Sequence, residues 1–307
     1  MKTKSKKRFT SLLSKLNLKK VGSNPVEIFL YLLPSIIIIG FVFLVPMLDI
    51  FRFSLYDVHT IAGVRGFVGI NNYKSLLTPE FLATFWRTIV YVIGAVPISI
   101  ILGLLMSVIL NQDYPGKRIF WILAFIPWTI PNSISAILWR WMIHSEYGLL
   151  NYILVSVGIL EEPMSFLTVD LAMATNIGLR IWKTVPFATI TFIAGLQTIP
   201  EELYEASSID GATWWQKLIY ITLPSLRNIT MTTALLLGIW GFINFDLIWV
   251  LTQGGPIHAT ETIPLAIYRL AFQEYKSGLA SAMGVFYLFI ILLFSIVYFK
   301  ITERKED

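Results

Sequence analysis

Asn132, Asn176, Arg180, Lys183, Asn244 and Asp246 lie inside long apolar stretches, where a polar or ionised group is costly and marks a solute or ion path by default. Amides and a carboxylate can hydrogen-bond solute hydroxyls, and Trp182 and Trp240 can stack on the apolar face of a ring. Trp249 reads instead as an interfacial belt residue. Arg180 and Lys183 stand three apart on one helical face, placed to pair with Asp246 from the next apolar stretch, which would be a structural ion pair and no ligand contact. On a continuous helix Asn244 and Asp246, two apart, point in different directions, so at most one lines a path. Other chemistries find little support. There is no cysteine, hence no thiolate metal site. His59, His144 and His258 form no His-Glu-x-x-His pattern, and no Gly-x-x-x-x-Gly-Lys-Ser/Thr phosphate loop occurs, so the chain does not hydrolyse ATP alone. A membrane enzyme or sensor is the weakest reading.

The elements that must position these groups are membrane helices. Apolar residues make up 56% of the 307 and charged ones 14%, with a mean hydropathy of +0.69. A hydrocarbon core needs about 20 apolar residues of helix. Residues 28–48, 88–110, 119–139 and 279–299 meet that length without a charge, while 171–196 and 229–252 meet it carrying Arg180, Lys183 and Asp246. The expectation is an all-α integral membrane protein with six transmembrane helices. The first apolar run is too long for a signal peptide and lacks a cleavage pattern after it, so it is expected to stay in the chain. Prolines 97, 127, 131 and 186 fall within spans and favour kinks. Ala95, Ser99, Gly103 and Ser107 recur every four residues, a ridge suited to close helix packing, and Gly278, Ala280, Ala282 and Gly284 make a related pair of steps.

Charge orients the spans. Eight of the first twenty residues are basic and none is acidic, which favours a cytoplasmic amino terminus next to anionic lipid. The remaining cations divide evenly between the two sides, so the head decides. Six spans then return the carboxyl terminus to the cytoplasm. The domains expected are a basic segment over 1–25, a membrane domain over 26–300 and a short tail over 301–307. Phe9–Leu18 can form an interfacial amphipathic helix or remain a disordered arm. The concentration of basic charge at the ends is not the spread face of a nucleic-acid binder.

Residues 200–224 interrupt the apolar pattern on the cytoplasmic side. Pro200 suits a first helical position, Glu201 and Glu202 complement the first turn, and Gly211 suits a left-handed terminator. A second short helix follows from Ala212 to Pro224, which stops it before the fifth span. Leu203, Ala206 and Ile209 share one face, expected to rest on the membrane domain, while Glu202, Glu205 and Ser208 face the cytoplasm. A plain connection would be shorter, so the insert implies a partner.

This stretch resembles the signature of permease subunits of bacterial ABC importers: Glu205-Ala206-Ser207, then Gly211, then Ile221, Leu223 and Pro224 at matching spacings, with Ser207 for an alanine as the departure. Phe242–Pro256 and Trp182–Phe187, with Asp210-Gly211 inside the motif, resemble the carbohydrate-importing branch, of maltose and glycerol-3-phosphate type. The resemblance implies a type I importer permease fold whose coupling helix is seized by an ATPase subunit, with Glu205, Ala206, Ser207, Asp210, Gly211, Ile221, Leu223 and Pro224 carrying the coupling. It implies a bacterial inner-membrane complex of this chain, a second permease, two cytoplasmic ATPase subunits that bind ATP and magnesium, and an extracytoplasmic solute-binding protein. This chain itself would hold no cofactor. Asn132, Asn176, Trp182, Lys183, Asn244 and Asp246 are the candidates for a sugar path. The alternative is a secondary transporter driven by an ion gradient, with Arg180, Lys183 and Asp246 as its relay.

Overall fold

The computed structural model describes residues 25–303; the basic head and the Phe9–Leu18 segment lie outside that range. The chain divides into two units, residues 1–53 and 54–307. In the first, α1 (Pro25–Ile39) runs through a wide turn at Gly40–Leu44 into α2 (Val45–Phe53). Residues 28–48 of this stretch are almost wholly apolar and carry no charge. A helix apolar all round is built for lipid or for another protein.

The second unit opens with β1 (Tyr56–His59) and β2 (Gly63–Phe67), an antiparallel hairpin pairing Tyr56 with Phe67 and bulged between Asp57 and Val58. The all-α expectation is corrected here. α3 (Asn71–Leu76) anchors the hairpin, because Asn72 Nδ2 donates to the carbonyls of Ser54 (2.9 Å) and Tyr56 (3.0 Å). α4 (Pro79–Asn111) starts where Thr78 Oγ1 accepts from the Phe81 N–H, with Pro79 in the first turn, whose amide needs no partner. Its main neighbour is α8 (Ala172–Leu196). The small-residue ridge faces that neighbour: Ala95, Ser99, Gly103 and Ser107 are all buried. A Cβ on Gly103 would lie 2.5 Å from Ala188 Cβ, and Ser99 Oγ sits 2.8 Å from Thr184 Oγ1. The ridge is a packing seam. At the start of the last helix, α15 (Ser277–Glu303), Gly278 lets the backbone pass against Tyr56 and Val58, whereas Gly284 faces open space.

Two of the expected spans are broken. The third is α5 (Lys117–Thr129) and α6 (Asn132–Met142), bent by 104°. Pro131 disfavours helical geometry in the residue before it, so Ile130 and Pro131 are both extended, with ψ of 135° and 145°. The fifth is α12 (Arg227–Phe242) and α13 (Asp246–Thr252), bent by 47° without a proline. There a carbonyl left open at the buried end of α12 is satisfied from another helix, since Tyr287 Oη donates to the Phe242 carbonyl at 2.7 Å. Pro97 and Pro186, by contrast, stay inside continuous helices. Among the described residues, four helices are long and apolar enough to cross a membrane, and up to six spans result if each bent pair counts as one.

Candidate functional site

Both breaks open onto one cleft of about 540 Å³. Asn132, the first residue of α6, comes from one break; Asn244 and Asp246 come from the other; Arg180, Lys183 and Thr184 face them from α8. Trp128 and Trp240 supply aromatic surface, and Trp240 packs against Phe187 with ring centres 4.8 Å apart. Asn244 and Asp246 both line the cleft, against the expectation that only one would, because the helix is interrupted between them and the two-residue rule for a continuous helix does not apply. Tyr91 Oη fixes Asn244 by donating to its Oδ1 at 3.1 Å.

The expected ion pair is absent: among the described residues, no salt bridge joins Asp246 to Arg180 or Lys183. Lys183 is instead buried against the end of α5, where its Nζ donates to the carbonyls of Pro127 (2.8 Å), Trp128 (3.3 Å) and Ile130. A cation suits a helix C-terminus, where carbonyls lack intrahelical partners. Lys183 therefore ties the bend to α8. Asn176 and Trp182 lie away from the cleft. Asn176 Nδ2 donates to the Ala172 carbonyl at 2.8 Å, and Trp182 packs on Trp139 at 6.0 Å in a separate apolar cluster. Trp249 stacks on Phe245 and meets Tyr268.

The polar interruption forms a folded knuckle. α9 (Glu201–Ile209) ends before Gly211, whose φ of +77° is left-handed. α10 (Trp214–Lys217) then starts from a capping box between Thr213 and Gln216. The chain continues through a wide turn at Leu218–Thr222 into α11 (Leu223–Ser225). Lys217 Nζ donates to Ser208 Oγ at 2.5 Å, and Tyr204 Oη lies 2.9 Å from Thr222 Oγ1, tying the two arms together. The second arm ends at Ser225, one residue past Pro224, and the break before α12 falls at Leu226 (ψ 2°). The orientation of α9 also differs from expectation. Leu203, Ala206 and Ile209 are exposed, Ile209 by 87%, while Tyr204 and Ser207 turn inward. The Tyr204 hydroxyl decides this rotation, and it leaves Glu205, Asp210 and Gly211 exposed beside the apolar side chains.

Residues 76–306 match the family described as "Binding-protein-dependent transport system inner membrane component". The chain belongs to this family. It is 35% identical to a probable ABC transporter permease protein of Brucella suis over 90% of this chain and 96% of that one. It is likewise 35% identical to the trehalose/maltose transport system permease protein MalF of Thermococcus litoralis, over 91% and 94%. The fold is similar to a crystal structure of a bacterial ABC transporter involved in import of the acidic polysaccharide alginate, with a TM-score of 0.79 at 22% identity over 90% of this chain and 95% of that one. This permease thus has the type I importer fold, with the cleft and the knuckle as polar regions of it. Sequence reasoning found the charged and amide lining of the cleft. It missed Trp128 and Thr184, whose types are ordinary in a membrane helix; the Ile130-Pro131 step was the signal that could have located Trp128 at a break.

Proposed function

We propose that this permease guides a sugar or oligosaccharide through the cleft, pairing with a second, homologous permease, and that separate ATPase subunits holding ATP and magnesium drive it through residues 200–224. In this reading the knuckle and both termini face the cytoplasm of a bacterial cell, and an extracytoplasmic binding protein delivers the solute. The cleft gates the path as the spans rock between inward and outward access. Asn132, Asn244 and Asp246 meet hydroxyls, and Trp128 and Trp240 meet ring faces. The observation that carries the reading is the knuckle itself. It is stiffened by a capping box and two cross-links, yet Leu203, Ile209, Trp214, Trp215 and Tyr220 are exposed on it. Several large apolar side chains left exposed on one ordered element fit a protein partner.

The test is copurification with coexpressed ATPase subunits. Wild-type protein is expected to retain them and Ile209→Glu to lose them while reaching the membrane at equal level; equal retention by both would overturn the role of this surface. For a gradient-driven transporter, uptake would instead stop when the ion gradient is collapsed at constant ATP. The separation of Asp246 from both cations in the described structure gives that relay no direct contact.

A further inference from the structure

Arg180 and Lys183 occupy the same face of α8, but their surroundings differ. Lys183 has carbonyl partners at the α5 bend. Arg180 lines the cleft, is 6% exposed, and its Nη2 finds no acceptor among the described residues. A guanidinium stays charged under all ordinary conditions, so burial cannot be relieved by losing the proton. An unpartnered buried donor of this kind calls for an acceptor that arrives from outside the chain.

The cleft offers few acceptors of its own. Thr184 Oγ1 is engaged with the Arg180 carbonyl and with Ser99, and Thr129 Oγ1 donates to the Ile126 carbonyl. Asn244 Oδ1 is taken by Tyr91. Asp246, the carboxylate on the lining, is exposed and stands in the first turn of α13, where the helix end itself favours its charge. With Lys183 spent on the α5 carbonyls, Arg180 remains as a donor-only fork whose geometry matches a carboxylate or a phosphate.

We infer that the solute is a sugar bearing an anionic oxygen group, carboxylate or phosphate, and that Arg180 selects it. Asn132 and the rings of Trp128 and Trp240 remain for its neutral parts. This rests on the sugar-permease reading and adds the chemical class of the solute.

The experiment uses the complete importer in lipid nanodiscs, with tryptophan emission reporting binding of glucuronate, glucose 6-phosphate and glucose. At least one anion is expected to bind about tenfold or more tightly than glucose, the size of one charge-assisted hydrogen bond. Arg180→Gln should bring both anions down to the level of glucose. The ranking of glucuronate against glucose 6-phosphate tells a carboxylate from a phosphate. Should Arg180→Gln fail to assemble, Arg180→Lys, which keeps the charge without the fork, is expected to weaken the anion preference. Binding of both anions no tighter than glucose in the wild type, including no binding of any of the three, overturns the inference, as does an unchanged preference in the variants. Stimulation of ATP hydrolysis by the binding protein, measured on the same complex, separates the two levels. If stimulation is present and the anion preference absent, this inference alone falls; if stimulation itself is absent, the importer reading falls with it.

Discussion

The cleft and the knuckle are both polar interruptions of an apolar chain, and they are built in opposite ways. In the cleft, polar side chains are drawn inward and several are bound to the fold: Lys183 to three carbonyls and Asn244 to Tyr91. In the knuckle the polar cross-links are internal and the apolar side chains point away from the body, with Ile209 87% exposed and Tyr220 75% exposed. A region whose hydrogen bonds hold neighbouring helices together governs stability, whereas one that presents uncovered apolar surface governs association. The same chain therefore separates the two tasks in space.

Substitutions can break this separation or sharpen it. The largest effect is expected from Gly211→Val. The left-handed conformation at φ +77° costs an L-residue about 1–2 kcal/mol, more for a branched side chain, although nothing lies within 4 Å of the added Cβ. Solute uptake should fall by at least about tenfold while the protein stays at wild-type level in the membrane, a drop equivalent to about 1.4 kcal/mol. Normal uptake in vesicles would remove the knuckle from the coupling route. Next is Lys183→Met, which leaves the α5 carbonyls without their donor. Loss of about 1–3 kcal/mol of stability is expected, partly offset by no longer burying a charge, and read as a lower melting temperature in detergent. An unchanged melting temperature would show that the bend holds without its tie.

The smallest effect concerns the ion-pair group outside the spans. The hydrogen bond from Lys276 holds the Glu274 carboxyl below the usual carboxylate range; burial opposes this and the Arg269 charge adds to it. Burial pulls Arg269 down, but its hydrogen bond to Glu261 (2.7 Å) and the charges of Glu261, Glu274 and Glu80 outweigh that and raise it. A depressed carboxyl contributes stability that is complete above its unfolded value and is lost as pH falls through its folded one. Melting temperature should therefore decline modestly below the ordinary carboxylate range, and Glu274→Gln should flatten that decline. An equal decline in the variant would assign it to other groups.

Much of this was legible in the sequence because period and composition report local physics. The apolar runs marked the long helices, the four-residue ridge marked the α4–α8 seam, and the Glu-Ala-Ser, Gly211 and Leu223-Pro224 spacing marked the knuckle. The misses have a common cause: they depend on contacts between distant segments. Helical periodicity placed Leu203, Ala206 and Ile209 on one face correctly, but only the Tyr204–Thr222 contact decides that this face looks outward. The break at Ile243–Phe245 carries no proline and is set by Tyr91 and Tyr287 from other helices. The pairing of Arg180 and Lys183 with Asp246 failed because carbonyls at a helix end, invisible to a count of charges, claimed the lysine.

The lysine tie also has a mechanical reading. α8 runs unbroken from Lys183 to Leu196, about 20 Å at 1.5 Å per residue, and the knuckle begins five residues later. One helical rod thus has the elbow of α5 fastened partway along it and the knuckle attached near its foot. Turning the knuckle end of the rod pulls on the elbow at the cleft, so the two polar regions share a single shaft.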